Sequence, residues 1–526
     1  IFTSYDSLRF SQILLTGGHM SVAVVGAGVA GIGCAKVLKQ YGYEVVVYEK
    51  SSEIGGVWNT GYPLIPIQSF DFQYRFTDFE CPFKVSEHPT GEQVLKYLRL
   101  AAAYYQLDIR TSHSVISTRE ETNGWILCYE DDKGEYAERF FDYIVACTGL
   151  FTKGMYYPSL PGRDAFKGEV HLGPFLQNIN ELENKRVAVI GYGKSAMDLV
   201  ALSAERTAQT IHLFRSPRWA LTEKLWWGDW TYPLFCRLGT LMITCWVQPN
   251  KTAKFIHRFK AFVHFYWNLV SWILKFQVMR YVRKHNKGQR VEELVKRTFP
   301  DTPLFVHRPA IIPFNPKLYY DNILNGRILP VRGDFSGFYS DGIVLESGEQ
   351  VPCDIAVLSL GIQTPDFRFL PLKYRCMLEK EGGAQLYRHL YHPRIPRMAF
   401  IGLNQSLLFM PSVEISTLWM VAVWKGEMVL PSVEKMEQCT RRVESWKKLN
   451  QAFDPTISYV THARYQQFID TLLSDLGISP YRKFPNMLAE LFGSYGAADY
   501  SRVFAEYDRA LLTRTTPLKP HADLDC

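Results

Sequence analysis

The stretch that decides the fold is Ser21–Lys50, SVAVVGAGVAGIGCAKVLKQYGYEVVVYEK. An apolar run, Val22–Val25, meets Gly26, Gly28 and Gly31 in the spacing G-x-G-x-x-G, and apolar residues at helical spacing follow. This order predicts a strand, a tight turn, a helix and a second strand. The glycines permit the turn, the approach of a pyrophosphate to the backbone and the packing of helix on sheet. The stretch therefore predicts a dinucleotide site.

An acidic residue supports this prediction. Glu49 follows Gly26 by 23 positions, where a carboxylate can accept hydrogen bonds from ribose hydroxyls. A glycine pair, Gly55-Gly56, comes soon after and would again let the chain run against a flat ligand. We expect Trp58 to pack beside the ligand rather than to contact a substrate. The residues expected to hold the first dinucleotide are Gly26, Gly28, Ala30, Gly31, Glu49, Lys50, Gly56, Val57 and Trp58.

A second unit repeats the pattern, as KRVAVIGYGKSAMDLVALSA followed by TIHLFR. Its turn is Gly191-x-Gly193-x-x-Ala196, with Lys194 and Ser195 at the start of the predicted helix, where phosphate is favoured. Arg215 follows Gly191 by 24 positions, in the place that Glu49 takes in the first unit. A guanidinium suits a 2′-phosphate, so this site is expected to prefer NADPH to NADH, although Arg215 can also be read as an ordinary surface arginine.

Composition excludes several classes of protein. The chain has 526 residues, 47% of them hydrophobic and 21% charged, which is typical of a folded globular protein. The formal charge of +7 is mild for this length, so nucleic acid is not expected as a partner. The 10 cysteines include no CxxC pair, so a disulfide framework, a zinc site and a dithiol redox pair are not indicated. No metal is expected, and a reducing, cytoplasmic location fits best.

One segment is unusually aromatic. Ala261–Met279 is the nearest approach to a membrane span, but His264, Asn268 and Lys275 interrupt it, among other polar residues. Two interpretations compete: a helix lying on a membrane surface, and a buried helical insertion, which we favour.

The predicted fold class is α/β, with two dinucleotide-binding, Rossmann-like domains, the first interrupted by the second. The expected division is a tag or upstream segment at 1–20, the first domain at 21–165, the second at 166–335 with an aromatic helical insertion at about 220–300, the rest of the first at 336–435, and a helical C-terminal region at 436–526.

Several motifs together resemble one family. In chain order they are GAGVAG, VVVYEK, GGVW, CTG, GYGKSA and FRSPRW, with Thr77-Asp78-Phe79 and IGLNQS besides. From about Ser21 to Tyr500 the chain resembles the flavin-containing monooxygenases, and its plant-type members most. The resemblance implies FAD in the first domain and NADPH in the second. It also implies a C4a-hydroperoxyflavin, formed with O2, that oxygenates a soft nucleophile, nitrogen or sulfur, of a small molecule.

The resemblance also implies further site residues. Gln68 is placed, by its spacing to the Thr77 motif, where many members have an active-site Asn. Thr148 is expected near the flavin, Gln405 beside its ring or the pyrophosphate, and Val115 at the adenine. The alternatives are a buried loop amide, a strand-capping hydroxyl, a turn residue and a core residue, respectively.

Two departures from the family keep other functions open. The linker signature Phe166–Phe175 is one residue short, and Ser359–Ile362 replaces the usual ATGY. A Baeyer–Villiger monooxygenase is disfavoured because the linker ends in Phe175 rather than Trp-Pro. An uncoupled NADPH oxidase that releases H2O2 is a second alternative, and a non-catalytic, membrane-associated nucleotide-binding regulator is a third. A homodimer and a peripheral membrane contact also stay open.

Overall fold

The structure is a computed structural model. It describes residues 20–521 except 62–65, 155, 174–175, 177, 221–223, 226–227, 230–235, 244–250, 286–287, 305–315, 362, 364, 381–382, 405 and 451–464. Gln405, Phe175 and the expected upstream segment fall outside the described residues.

The strands are β1 (Ser21–Val25), β2 (Glu44–Tyr48), β3 (Ile109–Arg110), β4 (Ser114–Glu121), β5 (Gly124–Glu130), β6 (Tyr136–Phe141), β7 (Tyr143–Ala146), β8 (Glu169–Leu172), β9 (Arg186–Ile190), β10 (Gln209–Phe214), β11 (Lys224–Leu225), β12 (Gly228–Asp229), β13 (Ile328–Arg332), β14 (Phe335–Tyr339), β15 (Gly342–Leu345), β16 (Gln350–Pro352), β17 (Ile355–Leu358) and β18 (Met398–Phe400). The helices are α1 (Val29–Gln40), α2 (Val57–Thr60), α3 (Gly91–Tyr104), α4 (Lys194–Ser203), α5 (Arg237–Met242), α6 (Lys251–Arg258), α7 (Lys260–His285), α8 (Gln289–Arg297), α9 (Pro316–Leu324), α10 (Leu372–Leu378), α11 (Phe409–Trp424), α12 (Val433–Asn450), α13 (Tyr465–Asp475), α14 (Met487–Phe492) and α15 (Val503–Thr513).

The first lobe is built on a parallel sheet with the strand order β18-β7-β1-β2-β3. Strand β1 lies at its centre, and Val22, Ala23 and Val24 are fully buried, as expected of a parallel strand covered on both faces. Helices α1 and α11 pack on one face, and the antiparallel sheet β4-β5-β6 packs on the other.

The second lobe repeats this plan. Its parallel sheet has the order β13-β10-β9-β17-β8, with α4, α8 and α9 on one face and the antiparallel sheet β14-β15-β16 on the other. The predicted α/β class with two Rossmann-like sheets is therefore confirmed.

One expected boundary is wrong. Strand β17 pairs with β8 and β9, and Phe338 and Ile343 of the small antiparallel sheet pack into the second lobe's core. The second lobe therefore continues to about residue 358, beyond the expected limit at 335. Cys353–Gly361 contains consecutive apolar residues without polar alternation, which is typical of a central parallel strand. This pattern could have indicated that the second lobe extends this far.

The C-terminal helices cover the first lobe. Side chains of α13 and α15, such as Leu472 and Tyr507, share a core with α1 and α11. Arg388 reaches this cover and pairs with buried Asp475 at 2.8 Å. Seven of the described cysteines are free thiols, and Cys439 is in a disulfide.

Candidate cofactor sites

In the first glycine turn, the backbone leaves no room for a side chain at two glycines but leaves room at a third. Gly26 has a φ of +104°, and a Cβ there would lie 2.6 Å from the carbonyl oxygen of Cys147. A Cβ on Gly31 would lie 1.8 Å from the carbonyl oxygen of Gly26. Gly28 has an ordinary φ of −77°, and a Cβ there would meet nothing nearer than the Cα of Gly56 at 3.7 Å. Gly28 therefore leaves open space at the N-terminus of α1, and we call such an open glycine position at a helix N-terminus a cradle.

The carboxylate of Glu49 braces this turn. One oxygen accepts a hydrogen bond from the backbone N–H of Ala27 at 2.8 Å, and the other accepts from that of Ser51 at 2.9 Å. Glu49 is 6% exposed, so these bonds offset much of the cost of burying its charge. Each oxygen keeps a second lone pair, with which it can accept a ribose hydroxyl.

Two buried polar atoms at the carboxyl edge of the first sheet are unsatisfied. The Oγ1 of Thr148 and the Nδ2 of Asn404 have no hydrogen-bond partner among the described residues. Such atoms are costly unless a ligand or water satisfies them. Gly402 precedes Asn404 and abuts α1, since a Cβ there would lie 2.3 Å from the Cβ of Ala30. This edge fits a large polar ligand. Gly402 and Asn404 belong to the IGLNQS motif, but their roles could not be predicted from the sequence.

The other residues expected in the first lobe differ in their settings. Val57 begins α2 and is 39% exposed, while Lys50 is also exposed. The indole N–H of Trp58 donates to the hydroxyl of Tyr74 at 3.2 Å. Val115 pairs with Tyr129 across β4 and β5, next to the backbone bond from His113 to Glu49.

The loop that carries Gln68 is held by one hydrogen bond on each side of that residue. The N–H of Ile67 donates to the carbonyl of Pro89 at 2.9 Å, and the hydroxyl of Ser69 donates to the carbonyl of Leu407 at 2.7 Å. Leu407 comes three residues after Asn404, so the bond from Ser69 ties the loop of half-buried Gln68 to the segment that follows β18.

A buried charge cluster fixes the far end of the same loop. Lys36 of α1 forms ion pairs with Asp78 and with Glu414 of α11. Glu414 is fully buried and also accepts a hydrogen bond from the N–H of Thr77 at 2.9 Å. Burial raises the pKa of Glu414. The Thr77-Asp78-Phe79 motif therefore joins two helices, a function that the sequence did not reveal.

The second glycine turn has the same design. Gly191 has a φ of +130°, and a Cβ there would lie 2.3 Å from the carbonyl oxygen of Ser359. A Cβ on Gly193 would meet nothing within 4 Å, so this position also leaves an open cradle, at the N-terminus of α4. The buried hydroxyl of Ser359 has no partner among the described residues. Ser195 and Ala196 lie in the first turn of α4.

A buried histidine, His212, is hydrogen-bonded to the backbone of this turn. The Nε2 of His212 lies 2.8 Å from the carbonyl oxygen of Gly191, and its Nδ1 lies 2.8 Å from the hydroxyl of Tyr319. Because a carbonyl only accepts, Nε2 carries the proton and Nδ1 accepts from Tyr319. Burial lowers the pKa of His212 to about 4, so the ring is neutral at physiological pH. No motif in the sequence marks His212 as part of the site.

The two cations expected at this site, Lys194 and Arg215, differ in how freely they can reach a phosphate. Lys194 forms an ion pair with buried Asp198 one turn later, so its ammonium is already engaged within the protein. Arg215 follows β10 with a side chain that is 71% exposed, at 3.6 Å from the carboxylate of Asp334. Arg215 is the better placed of the two to meet a phosphate.

The carboxyl ends of the two sheets meet at a seam. The N–H of Tyr156 donates to the carbonyl of Gly361 at 2.9 Å, and that of Gln363 donates to Gly154 at 3.2 Å. The N–H of Asp366 donates to the hydroxyl of Thr152 at 2.8 Å. These residues follow β7 of the first sheet and β17 of the second. Both glycine turns therefore lie on sheet edges that this seam joins.

The donor set of both edges fits dinucleotides. The described residues contain no group of three or more side chains placed to hold a metal ion. Each edge combines an open glycine position, a helix N-terminus and a hydroxyl that has no partner among the described residues.

Comparisons with known proteins agree with this geometry. Residues 19–490 match the family described as flavin-binding monooxygenase-like. The chain is 26% identical to "Probable flavin-containing monooxygenase 1" of Arabidopsis thaliana, over 95% of this chain and 97% of that one. It is 26% identical to human flavin-containing monooxygenase 5, over 87% of this chain and 83% of that one.

Solved structures share the fold. An S-allyl-L-cysteine S-oxygenase from Allium sativum aligns with a TM-score of 0.60 at 16% identity, over 94% of this chain and 99% of that one. A cyclohexanone monooxygenase aligns with a TM-score of 0.61 at 16% identity, over 87% and 98%. The chain belongs to the flavin-binding monooxygenase-like family and is a flavin-dependent monooxygenase that uses FAD and NADPH.

Proposed function

We propose that this enzyme uses NADPH and O2 to place one oxygen atom on a nitrogen or sulfur of a small molecule, with a C4a-hydroperoxyflavin as the oxygen donor. The observation that carries this proposal is the seam, because the backbone bonds between Tyr156 and Gly361 and between Gln363 and Gly154 bring the two cradle-bearing edges together. The flavin, when bound, supplies the hydride acceptance and the activation of O2. The chain's own residues bind and orient the cofactors and the substrate, and they exclude water from the site.

We assign the first lobe to FAD and the second to NADPH. In the first lobe the glycine turn receives the pyrophosphate and Glu49 the ribose. The other residues proposed there are Ala30, Lys50, Gly56, Val57, Trp58, Val115, Thr148 and Gln405. In the second lobe Gly191 and Gly193 receive the pyrophosphate, with Ser195 and Ala196 in the first helical turn. Arg215 meets the 2′-phosphate, and Lys194 acts mainly by steadying Asp198.

Gln68 is the proposed catalytic residue. Its amide can donate one hydrogen bond and accept another, so it can steady a protonated oxygen species beside the flavin. Support comes from the bonds of Ile67 and Ser69, the second of which ties this loop to the segment that follows β18. A fixed donor is worth more than a mobile one, since no reorganisation is needed at the moment of reaction.

The preference for a soft nucleophile over a ketone rests on residues rather than on the fold. The garlic S-oxygenase and the cyclohexanone monooxygenase have similar TM-scores to this chain. The linker of this chain ends in Phe175, whereas the ketone-oxidising class has Trp-Pro there. We therefore expect a sulfide or tertiary amine to be oxygenated faster than cyclohexanone.

The test is a rapid-mixing experiment. The purified holoenzyme is reduced anaerobically with NADPH and mixed with oxygenated buffer while the flavin spectrum is recorded. We expect a transient oxygen adduct whose decay is accelerated by methyl phenyl sulfide, with the sulfoxide as product. Immediate return to oxidised flavin with stoichiometric H2O2 would support the oxidase instead, and an ester from cyclohexanone would support ketone insertion.

Two variants of Gln68 sharpen this test. Gln68→Leu removes the amide at similar volume, and loss of one hydrogen bond of about 1.5 kcal/mol predicts a roughly tenfold faster loss of the adduct as H2O2. Gln68→Asn keeps an amide and should restore part of the coupling. Equal coupling in the wild type and the Leu variant would remove Gln68 from the proposed role.

A further inference from the structure

Helix α7 is apolar on two opposite faces. One face packs on the protein through buried side chains that include Val263, Trp267, Leu274 and Val282. The other exposes a row that we name the aromatic band, with exposed fractions of 59%, 64%, 43%, 60% and 42% for Phe262, Phe265, Leu269, Trp272 and Phe276. The water-facing side of a surface helix is normally polar. The buried-insertion interpretation is therefore correct for one face only.

The band is long and uninterrupted. Its spacing of three and four residues keeps the five side chains on one side of the helix over about 21 Å. Phe255 and Phe259, 64% and 56% exposed, continue the exposed aromatic surface towards α6. Contiguous apolar patches of this kind mark interaction surfaces in folded proteins.

Positive charge is concentrated around the band. Residues 251–297 contain twelve Lys and Arg residues against two acidic residues, a net charge of +10, whereas the whole chain carries +7. The mild overall charge therefore hides a strongly basic region. Exposed cations stand at both ends of the band: Lys254, Arg258 and Lys260 before it, and Arg280, Arg283 and Lys284 after it.

We propose that the aromatic band docks on an anionic lipid surface, with α7 lying in the plane of the membrane interface. Aromatic side chains favour the headgroup region, and flanking cations attract anionic lipids. None of the helices in the described part of the chain is long and apolar enough to cross a bilayer, so a surface mode is the one that fits. A second copy of the chain fits less well, because parallel or antiparallel pairing of α7 would place cationic ends together.

The test is co-sedimentation of the full holoenzyme with vesicles. Vesicles of 70% phosphatidylcholine and 30% phosphatidylserine are compared with pure phosphatidylcholine, at low salt and in 0.5 M NaCl. We expect binding to the anionic vesicles that salt weakens. The double substitution Phe265→Gln and Trp272→Gln should weaken binding at least tenfold. A control with Tyr136→Gln and Leu512→Gln, 68% and 80% exposed elsewhere, should bind as the wild type does.

A second pair of substitutions separates charge from apolar contact. Lys260→Gln with Lys284→Gln should weaken binding to the anionic vesicles and leave that to neutral ones unchanged. Reduction of the flavin by NADPH should be equal in all variants, which shows that they are folded. The proposal is overturned if the wild type binds neither vesicle, or if the band variant binds as tightly as the wild type. It is also overturned if ultracentrifugation shows a dimer that the band substitutions dissociate, since the occupant would then be a second copy.

Discussion

Replacing His212 by Gln should remove a specific part of the pH dependence of stability. The pKa of His212 is lowered to about 4 in the fold, against about 6.5 when unfolded. Above about pH 6.5 the residue is neutral in both states and contributes no pH dependence. As the pH falls through 6.5, only the unfolded state takes up the proton, so stability is lost until about pH 4. At about pH 5 this loss amounts to about 2 kcal/mol.

Gln keeps a donor for the carbonyl of Gly191 but cannot titrate in this range. Urea titrations of the wild type and of His212→Gln, at about pH 7.5 and about pH 5, give the loss for each protein. Any constant cost of the substitution cancels, as does His392, whose pKa is also lowered to about 4 by burial. The wild type should lose about 2 kcal/mol more than the variant between the two pH values. Equal losses would refute the neutral, buried His212 and its place beneath the glycine turn.

Three further predictions follow from single contacts. Gly31→Ala should prevent folding of the first lobe, since its Cβ would lie 1.8 Å from a carbonyl oxygen. Gly28→Ala should fold normally and bind FAD weakly, and measurements of thermal unfolding and flavin content distinguish the two variants. Arg215→Gln should raise the Kd for NADPH about tenfold or more and leave the Kd for NADH unchanged, as measured by fluorescence titration. An equal effect on both Kd values would exclude a contact with the 2′-phosphate. Glu414→Gln should lower the free energy of unfolding by about 3 kcal/mol or more, because Lys36 stays buried with one negatively charged partner fewer. A loss below about 1 kcal/mol in urea would contradict this.

Local patterns predicted the parts of the fold that depend on neighbours in sequence. Gly26, Gly28 and Gly31, with the strands around them, gave the first cradle because turn geometry is a short-range property. The end of the second lobe was missed because the pairing of β17 with β9 joins residues far apart in the chain.

Long-range partners also explain what the sequence did not reveal in the site. His212 looks like an ordinary strand residue in the sequence, and only the fold brings it to Gly191. The amide nitrogen of Asn404, which has no partner among the described residues, takes its place only when β18 joins the first sheet. The basic region around the aromatic band was hidden by averaging the charge over the whole chain.

The most direct test of the central claim is to follow the oxygen atom. The holoenzyme is supplied with NADPH, methyl phenyl sulfide and 18O2, and the product is analysed by mass spectrometry while NADPH oxidation and H2O2 are measured in parallel. The account predicts one 18O atom in each sulfoxide molecule and about one sulfoxide per NADPH oxidised. It would be contradicted by H2O2 that accounts for all the NADPH, with no labelled product from the sulfide or from a tertiary amine.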